Sequence, residues 1–187
     1  EIEHEKNRQY IFIANHNSYM DIPPIVLLNH SPLRILGKYE SSKIPVFGWM
    51  YKQAVILVDR SNAERRSQSV RELKQAIEDG LSIFLFPEGT FNESEQPLKS
   101  FFDGAFRIAI ETQTPIKPLL FIDTMERMHF SSVFSITPGK SRVVYLADIP
   151  VEGLTMEDLP ALKAKAYHLM EEGLKRYRKY PTVLSVF

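Results

Sequence analysis

The chain contains no cysteine. That excludes a disulfide framework, a thiolate zinc site, an iron–sulfur cluster and a thiol nucleophile. It also lacks net charge, 23 basic side chains balancing 23 acidic ones, so no bulk field draws it to nucleic acid. Long apolar runs are missing: Ile22–Leu28 and Ala54–Val58 fall far short of the ~18 residues a membrane-spanning helix needs. Nothing in residues 1–9 has the layout of a signal peptide. Several well-known sites are absent too. Gly139-Lys140-Ser141 has Phe134 where a phosphate-binding loop requires glycine. No Gly-x-Gly-x-x-Gly fingerprint follows a strand, and no Gly-x-Ser-x-Gly elbow occurs. No histidine or acidic spacing suits a metal, so none is expected.

What remains is a chain of 187 residues, 44% apolar, enough for one domain with a sizeable core. Short apolar runs alternate with helical patterns, which predicts an α/β fold, a single domain with a central, mostly parallel or mixed sheet flanked by helices. The predicted strands are Tyr10–Ala14, Leu33–Gly37, Ala54–Val58, Leu81–Phe86 and Pro115–Ile122, apolar enough to be buried on both faces. Ser132–Thr137 and Arg142–Ala147, joined by Pro138-Gly139-Lys140-Ser141, predict a hairpin. A helix is expected between Ser61, in capping-box spacing with Glu64, and Gly80, a left-handed cap. Two more are expected at Gly104–Gln113 and Glu157–Tyr177, the latter with Leu159, Leu162, Ala166, Leu169, Met170 and Tyr177 on one face.

The first strand runs directly into Asn15-His16-Asn17-Ser18-Tyr19-Met20-Asp21, and Ile22-Pro23-Pro24 opens a helix. A strand-to-helix turn aims a side chain out of the end of a rigid sheet. A carboxylate five positions after His16 can hold one ring N–H, fix the tautomer and leave the other nitrogen to accept a proton. About 0.2 such spacings arise by chance in a chain of this composition, so spacing alone does not establish a base. Asp21 equally fits a helix N-cap before Pro23, and the two roles are compatible. A second constellation, Pro87-Glu88-Gly89-Thr90, ends the strand Leu81–Phe86. There a carboxylate, a permissive glycine and a hydroxyl stand at the edge where α/β sheets bind ligands, though a solvated turn favours the same residues.

Together these residues resemble the glycerolipid acyltransferase family typified by lysophosphatidate acyltransferases. Its Asn-His-x4-Asp block is matched by Asn15, His16 and Asp21, and its Phe-Pro-Glu-Gly-Thr block by Phe86 to Thr90. Between them, Lys38, Glu40, Pro45, Gly48, Trp49, Asp59 and Arg60 match a second block; Pro115 and Pro118 match a Pro-x-x-Pro strand. The match ends near residue 122. It departs from the family at Phe91, where an arginine usually follows the threonine, and at Phe102-Asp103, where a basic residue usually precedes the helix glycine.

The resemblance implies transfer of a fatty acyl group to the free hydroxyl of 1-acyl-glycerol-3-phosphate, giving phosphatidate. The donor would be acyl-CoA or acyl carrier protein, as substrate, with no further cofactor. His16 would act as general base oriented by Asp21, with Glu88, Gly89, Thr90, Lys38, Arg60 and Lys99 binding substrate. Direct attack by the acceptor is expected, since the chain offers no cysteine and no set nucleophile. The lipid acceptor implies a membrane surface, on its cytoplasmic face. Residues 43–52, aromatic between lysines, and Lys175, Arg176, Arg178 and Lys179 are candidates to meet it; core packing and a helix C-terminus are their ordinary roles. The family's N-terminal membrane-anchoring helices are expected to be missing from this chain, as from a truncated or unusual member. Alternatives are the same chemistry on glycerol-3-phosphate, another lysophospholipid or an amino-acid lipid; a thioesterase using water; and a non-catalytic module binding lipid or acyl carrier protein.

Overall fold

The computed structural model describes residues 8–28, 33–38, 55–58, 63–132 and 135–178. Its frame is a six-stranded mixed sheet of β1 (Ile11–Ala14), β2 (Leu33–Lys38), β3 (Val55–Val58), β4 (Ser82–Leu85), β5 (Ile116–Phe121) and β6 (Val143–Tyr145), in spatial order β3-β2-β4-β1-β5-β6. All neighbours pair in parallel except β5 and β6. The two central strands, β1 and β4, run side by side with Ile11 opposite Ile83 and Ile13 opposite Leu85. Their C-terminal ends therefore emerge together.

The pleat sends alternate side chains to opposite faces, and both faces are covered. Ile11, Ile13, Ile83, Leu85, Ile116 and Leu120 pack into one core. The helices α2 (Ala63–Glu78), α3 (Gly104–Thr112) and α5 (Leu159–Arg178) close over it. Tyr10, Phe12, Ala14, Phe84, Leu119 and Phe121 face the other way, towards Ile25 of α1 (Ile22–Leu28). This two-sided burial is why the strands read as unbroken apolar runs. One residue breaks the pattern. Lys117 in β5 is buried and spans 2.5 Å to Asp148, which also accepts from the Tyr10 hydroxyl at 2.9 Å. Burial pulls the Asp148 carboxyl upward, but these two donors prevail and hold it below the ordinary range.

The expected helices form. Gly80, at φ +83°, ends α2 with a paired cap: its N–H donates to Ile77 and that of Leu81 to Ala76. Ser61, expected to open α2, lies outside the described residues. In α5 the face of Leu159, Leu162, Ala166, Met170 and Leu174 is buried. Among the described residues the expected hairpin pairing is not seen. Val143–Tyr145 pairs antiparallel with β5, while Ile136 bridges to Met128 in the short helix-and-loop segment after α4 (Thr124–Arg127). The cause lies at Asp123, just beyond β5. Its carboxylate takes the backbone N–H of Arg142 at 3.0 Å, its Nε at 2.7 Å and an Nη at 2.6 Å. That fork, which holds the Asp123 carboxyl below its ordinary range, lays the returning chain on the edge of β5.

Candidate active site

Both sequence blocks meet at the C-terminal edge of β1 and β4. Asn15 prolongs β1 with its side chain: its Oδ1 accepts from the Phe121 N–H at 2.8 Å, and its Nδ2 donates to the Phe121 carbonyl at 2.9 Å. The amide thus adds one more rung to the β1–β5 ladder, and the next residue, His16, leaves the sheet in a fixed direction. Ser18 then caps a 3-10 turn over Tyr19–Asp21, and Asp21 closes its capping box. The carboxylate is therefore the third residue of the turn rather than the N-cap.

Asp21 is fully buried, and one oxygen, Oδ2, gathers three donors. These are the Asn17 N–H at 2.8 Å, the Ser18 N–H at 2.9 Å and the His16 Nδ1 at 2.9 Å. The ring bond sets the tautomer with hydrogen on Nδ1. Nε2 makes no hydrogen bond to a described residue, and the ring is 17% exposed. Phe86 stacks on the imidazole at 3.8 Å between centroids and 15° between planes, and Phe91 leans against it at 4.3 Å. Tyr19 meets Phe91 edge-on at 4.8 Å.

The loop after β4 holds the backbone of the same residue. A turn closed by the Gly89 N–H on the Phe86 carbonyl, 3.0 Å, places Gly89 at φ +75°, where a side chain would be strained. Glu88 is only 2% exposed. Its Oε1 accepts from the His16 N–H at 2.9 Å and its Oε2 from the Lys99 N–H at 2.7 Å. Burial pushes this carboxyl up to about 7, against the downward pull of those two donors. The Asn92 N–H donates to the His16 carbonyl at 2.8 Å. Thr90 is exposed, with the Lys99 ammonium on its hydroxyl at 3.0 Å.

His16, Asp21, Glu88, Gly89, Thr90 and Lys99 are thus brought together. Lys38 ends β2, but its side chain, Arg60, residues 43–52 and Lys179 lie outside the described residues. Lys175, Arg176 and Arg178 occupy the last turn of α5, and Lys175 is 2.9 Å from Glu171. Asn92 was not singled out from the sequence, and Asn15 was named there only as part of the Asn-His-x4-Asp block, with no role of its own. Among the described residues no group of three histidine or acidic side chains converges to hold a metal ion.

The Acyltransferase family model matches residues 2–122. The chain belongs to the acyltransferase family. It is 32% identical over 166 residues to a 1-acyl-sn-glycerol-3-phosphate acyltransferase of Haemophilus influenzae, covering 88% of this chain and 68% of that protein. An uncharacterized acyltransferase of Schizosaccharomyces pombe is 29% identical over 184 residues, covering 95% of this chain and 64% of that one. The crystal structure of the 1-acyl-sn-glycerophosphate acyltransferase of Thermotoga maritima superposes with a TM-score of 0.76 at 25% identity, covering 95% of this chain and 69% of that one. The chain spans less than two thirds of several relatives, 58% in the case of human 1-acyl-sn-glycerol-3-phosphate acyltransferase alpha.

Proposed function

We propose that this chain transfers a fatty acyl group from an acyl thioester to the free hydroxyl of 1-acyl-glycerol-3-phosphate, giving phosphatidate. The observation that carries the reading is the 2.9 Å contact between His16 Nδ1 and a fully buried Asp21. It stands at the ligand-binding edge of the sheet, in a chain whose relatives bear that activity in their names.

An alcohol is almost wholly protonated at neutral pH, so its attack on the thioester carbon needs a base within reach. Nε2 of His16 takes the hydroxyl proton as the new carbon–oxygen bond forms. Asp21, beside Nδ1, stabilises the imidazolium. When the tetrahedral intermediate collapses, the carbon–sulfur bond breaks and the thiolate receives the proton from Nε2. Thr90, exposed, and Lys99, half-buried, hydrogen-bonded to each other at 3.0 Å, offer a hydroxyl and an ammonium to the acceptor phosphate. Lys38 and Arg60 remain candidates for the same charge. Coenzyme A and acyl carrier protein both supply the thioester this chemistry needs. No helix among the described residues is long and apolar enough to cross a membrane; a lipid acceptor and product would bring the protein to a bilayer surface, on its cytoplasmic face.

A second reading keeps the chemistry and changes the acceptor to one without a phosphate monoester. Phe91 favours it, because a ring rather than a cation lies 4.3 Å from the imidazole. One assay separates the readings. Thiol release from acyl-CoA, and from acyl carrier protein, is followed with lysophosphatidate, glycerol-3-phosphate and a phosphate-free lysolipid, and the lipid products are resolved. Phosphatidate formation that needs lysophosphatidate and is lost in His16→Ala supports the first reading. Turnover confined to phosphate-free acceptors refutes it, and so does an unchanged rate without acceptor, which would mark a thioesterase.

A further inference from the structure

Sequence position suggests that Glu88 binds substrate, yet its carboxylate faces the protein. Both oxygens are taken by backbone N–H groups, one on His16 and one on Lys99, and the residue is 2% exposed. To reach an acceptor it would have to release two partly buried backbone donors, each at a cost approaching that of a lost hydrogen bond. We infer that Glu88 is a positioning residue: its carboxylate bridges the main chain of the base, His16, to that of Lys99, and so fixes the spacing between proton acceptor and acceptor-binding cation.

Three details make the bridge specific. The main chain of His16 is held at both ends by the same loop, its N–H on Glu88 and its carbonyl under the Asn92 N–H at 2.8 Å. Its ring is held separately by Asp21. With main chain and ring both pinned, Nε2 has one location. Lys99 is likewise tied twice, its N–H to Glu88 and its ammonium to Thr90, and Thr90 follows the Gly89 turn that begins beside Glu88. A loss of the bridge moves the base relative to the bound hydroxyl, and a displacement of about 1 Å in such a geometry costs on the order of 10²-fold in rate.

The inference rests on the acyl-transfer reading for its kinetic consequence but not for its geometry, so two measurements are paired. Glu88→Gln presents an amide NH2 to one of the two donors. Its expected effect is a kcat roughly 10–100-fold lower at saturating acceptor, with the acceptor KM within about threefold of wild type. Amide hydrogen exchange at His16 and Lys99 should accelerate together. Glu88→Asp retains the charge but is one methylene short of spanning both amides, so it should not restore kcat. Should Glu88→Gln fail to fold, Glu88→Asp carries both measurements. The bridge is overturned if the deficit lies in the acceptor KM with kcat intact, if Asp restores kcat, or if exchange at the two amides is unchanged. Absence of turnover by the wild-type chain on every acceptor would instead refute the acyl-transfer reading, while the exchange measurement would still decide the bridge.

Discussion

The most discriminating perturbation is Asp21→Asn, because the two roles of this carboxylate predict different outcomes. As the closing residue of a capping box, Asp21 needs only an oxygen that accepts the Asn17 and Ser18 N–H groups. An asparagine carbonyl placed where Oδ2 stands supplies that oxygen and also accepts from Nδ1 of His16. The tautomer is preserved. What disappears is the negative charge beside an imidazole that, in the proposed mechanism, becomes positive as it takes the hydroxyl proton. A hydrogen bond to a charged group contributes about 1.5–3 kcal/mol, so at ~1.4 kcal/mol per decade kcat should fall about 10- to 150-fold. The asparagine NH2 would occupy the place of Oδ1, which is buried without a partner among the described residues. That desolvation lowers stability by about 1–3 kcal/mol.

Asp21→Ala separates the roles from the other side. It leaves the two backbone donors and the ring N–H without their acceptor. The backbone pair alone is worth roughly 2–6 kcal/mol if both stay buried, or on the order of 5–20 °C in Tm for a chain of this size. Thiol release from acyl-CoA in the presence of lysophosphatidate, at saturating concentrations of both, gives kcat; thermal melts give the stability arm. If Asp21→Asn melts close to wild type and turns over within twofold of it, the charge has no catalytic role. Asp21 is then a cap alone, and the acid–base reading of His16 fails with it.

Glu88, held protonated up to about 7 in the folded chain and to 4.5 in its ordinary state, binds more protons folded than unfolded between those values. Stability should therefore fall as pH rises through this window, by roughly 3 kcal/mol in all; pH-dependent melts of Glu88→Gln should show a flatter slope, and equal slopes would refute the shift. Asn15→Ala strips the added rung from β5 and leaves the Phe121 N–H and carbonyl unpaired, so denaturant titration should report a loss of about 2–4 kcal/mol. Gly89→Ala puts a Cβ at φ +75°, a strain of about 1–2 kcal/mol; its melt should drop accordingly, and an unchanged Tm would show that the turn relaxes freely. Phe91→Arg places a cation beside the imidazole; it should raise kcat/KM for lysophosphatidate relative to a phosphate-free acceptor by about tenfold, and an unchanged ratio would remove Phe91 from acceptor choice.

How far the fold was legible follows from the physics of each element. β1, β4 and β5 are buried on both faces, so they announced themselves as apolar runs, and α2 ended where Gly80 allowed a left-handed residue. The partner of β6 was not legible. Local turn signals at Pro138-Gly139 favour a hairpin, whereas the true partner, β5, is selected by Arg142 clasping Asp123 nineteen residues earlier. Only the folded chain brings those two together. The site divides in the same way. His16 and Asp21 are close in sequence and could be paired on paper, but the carboxylate of Glu88 meets the His16 backbone across 72 residues, and no spacing rule reaches that far.

The two buried carboxylates of the site illustrate why residue type alone left their roles open. Both accept backbone N–H groups at or near His16, and both stand beyond the ends of neighbouring strands. Asp21, with a short side chain in a tight turn, brings three donors to one oxygen, and one of them is the imidazole itself. It is therefore the carboxylate placed to stabilise a charge on the ring in the proposed mechanism. Glu88, longer by one methylene, divides its oxygens between the backbone N–H groups of two segments and is buried. Its hydrogen bonds act on the backbone of His16 and Lys99. A hydrogen bond to the ring is open to a carboxylate in the same tight turn, and a brace requires reach between separate segments; the short side chain of Asp21 meets the first condition and the longer one of Glu88 the second.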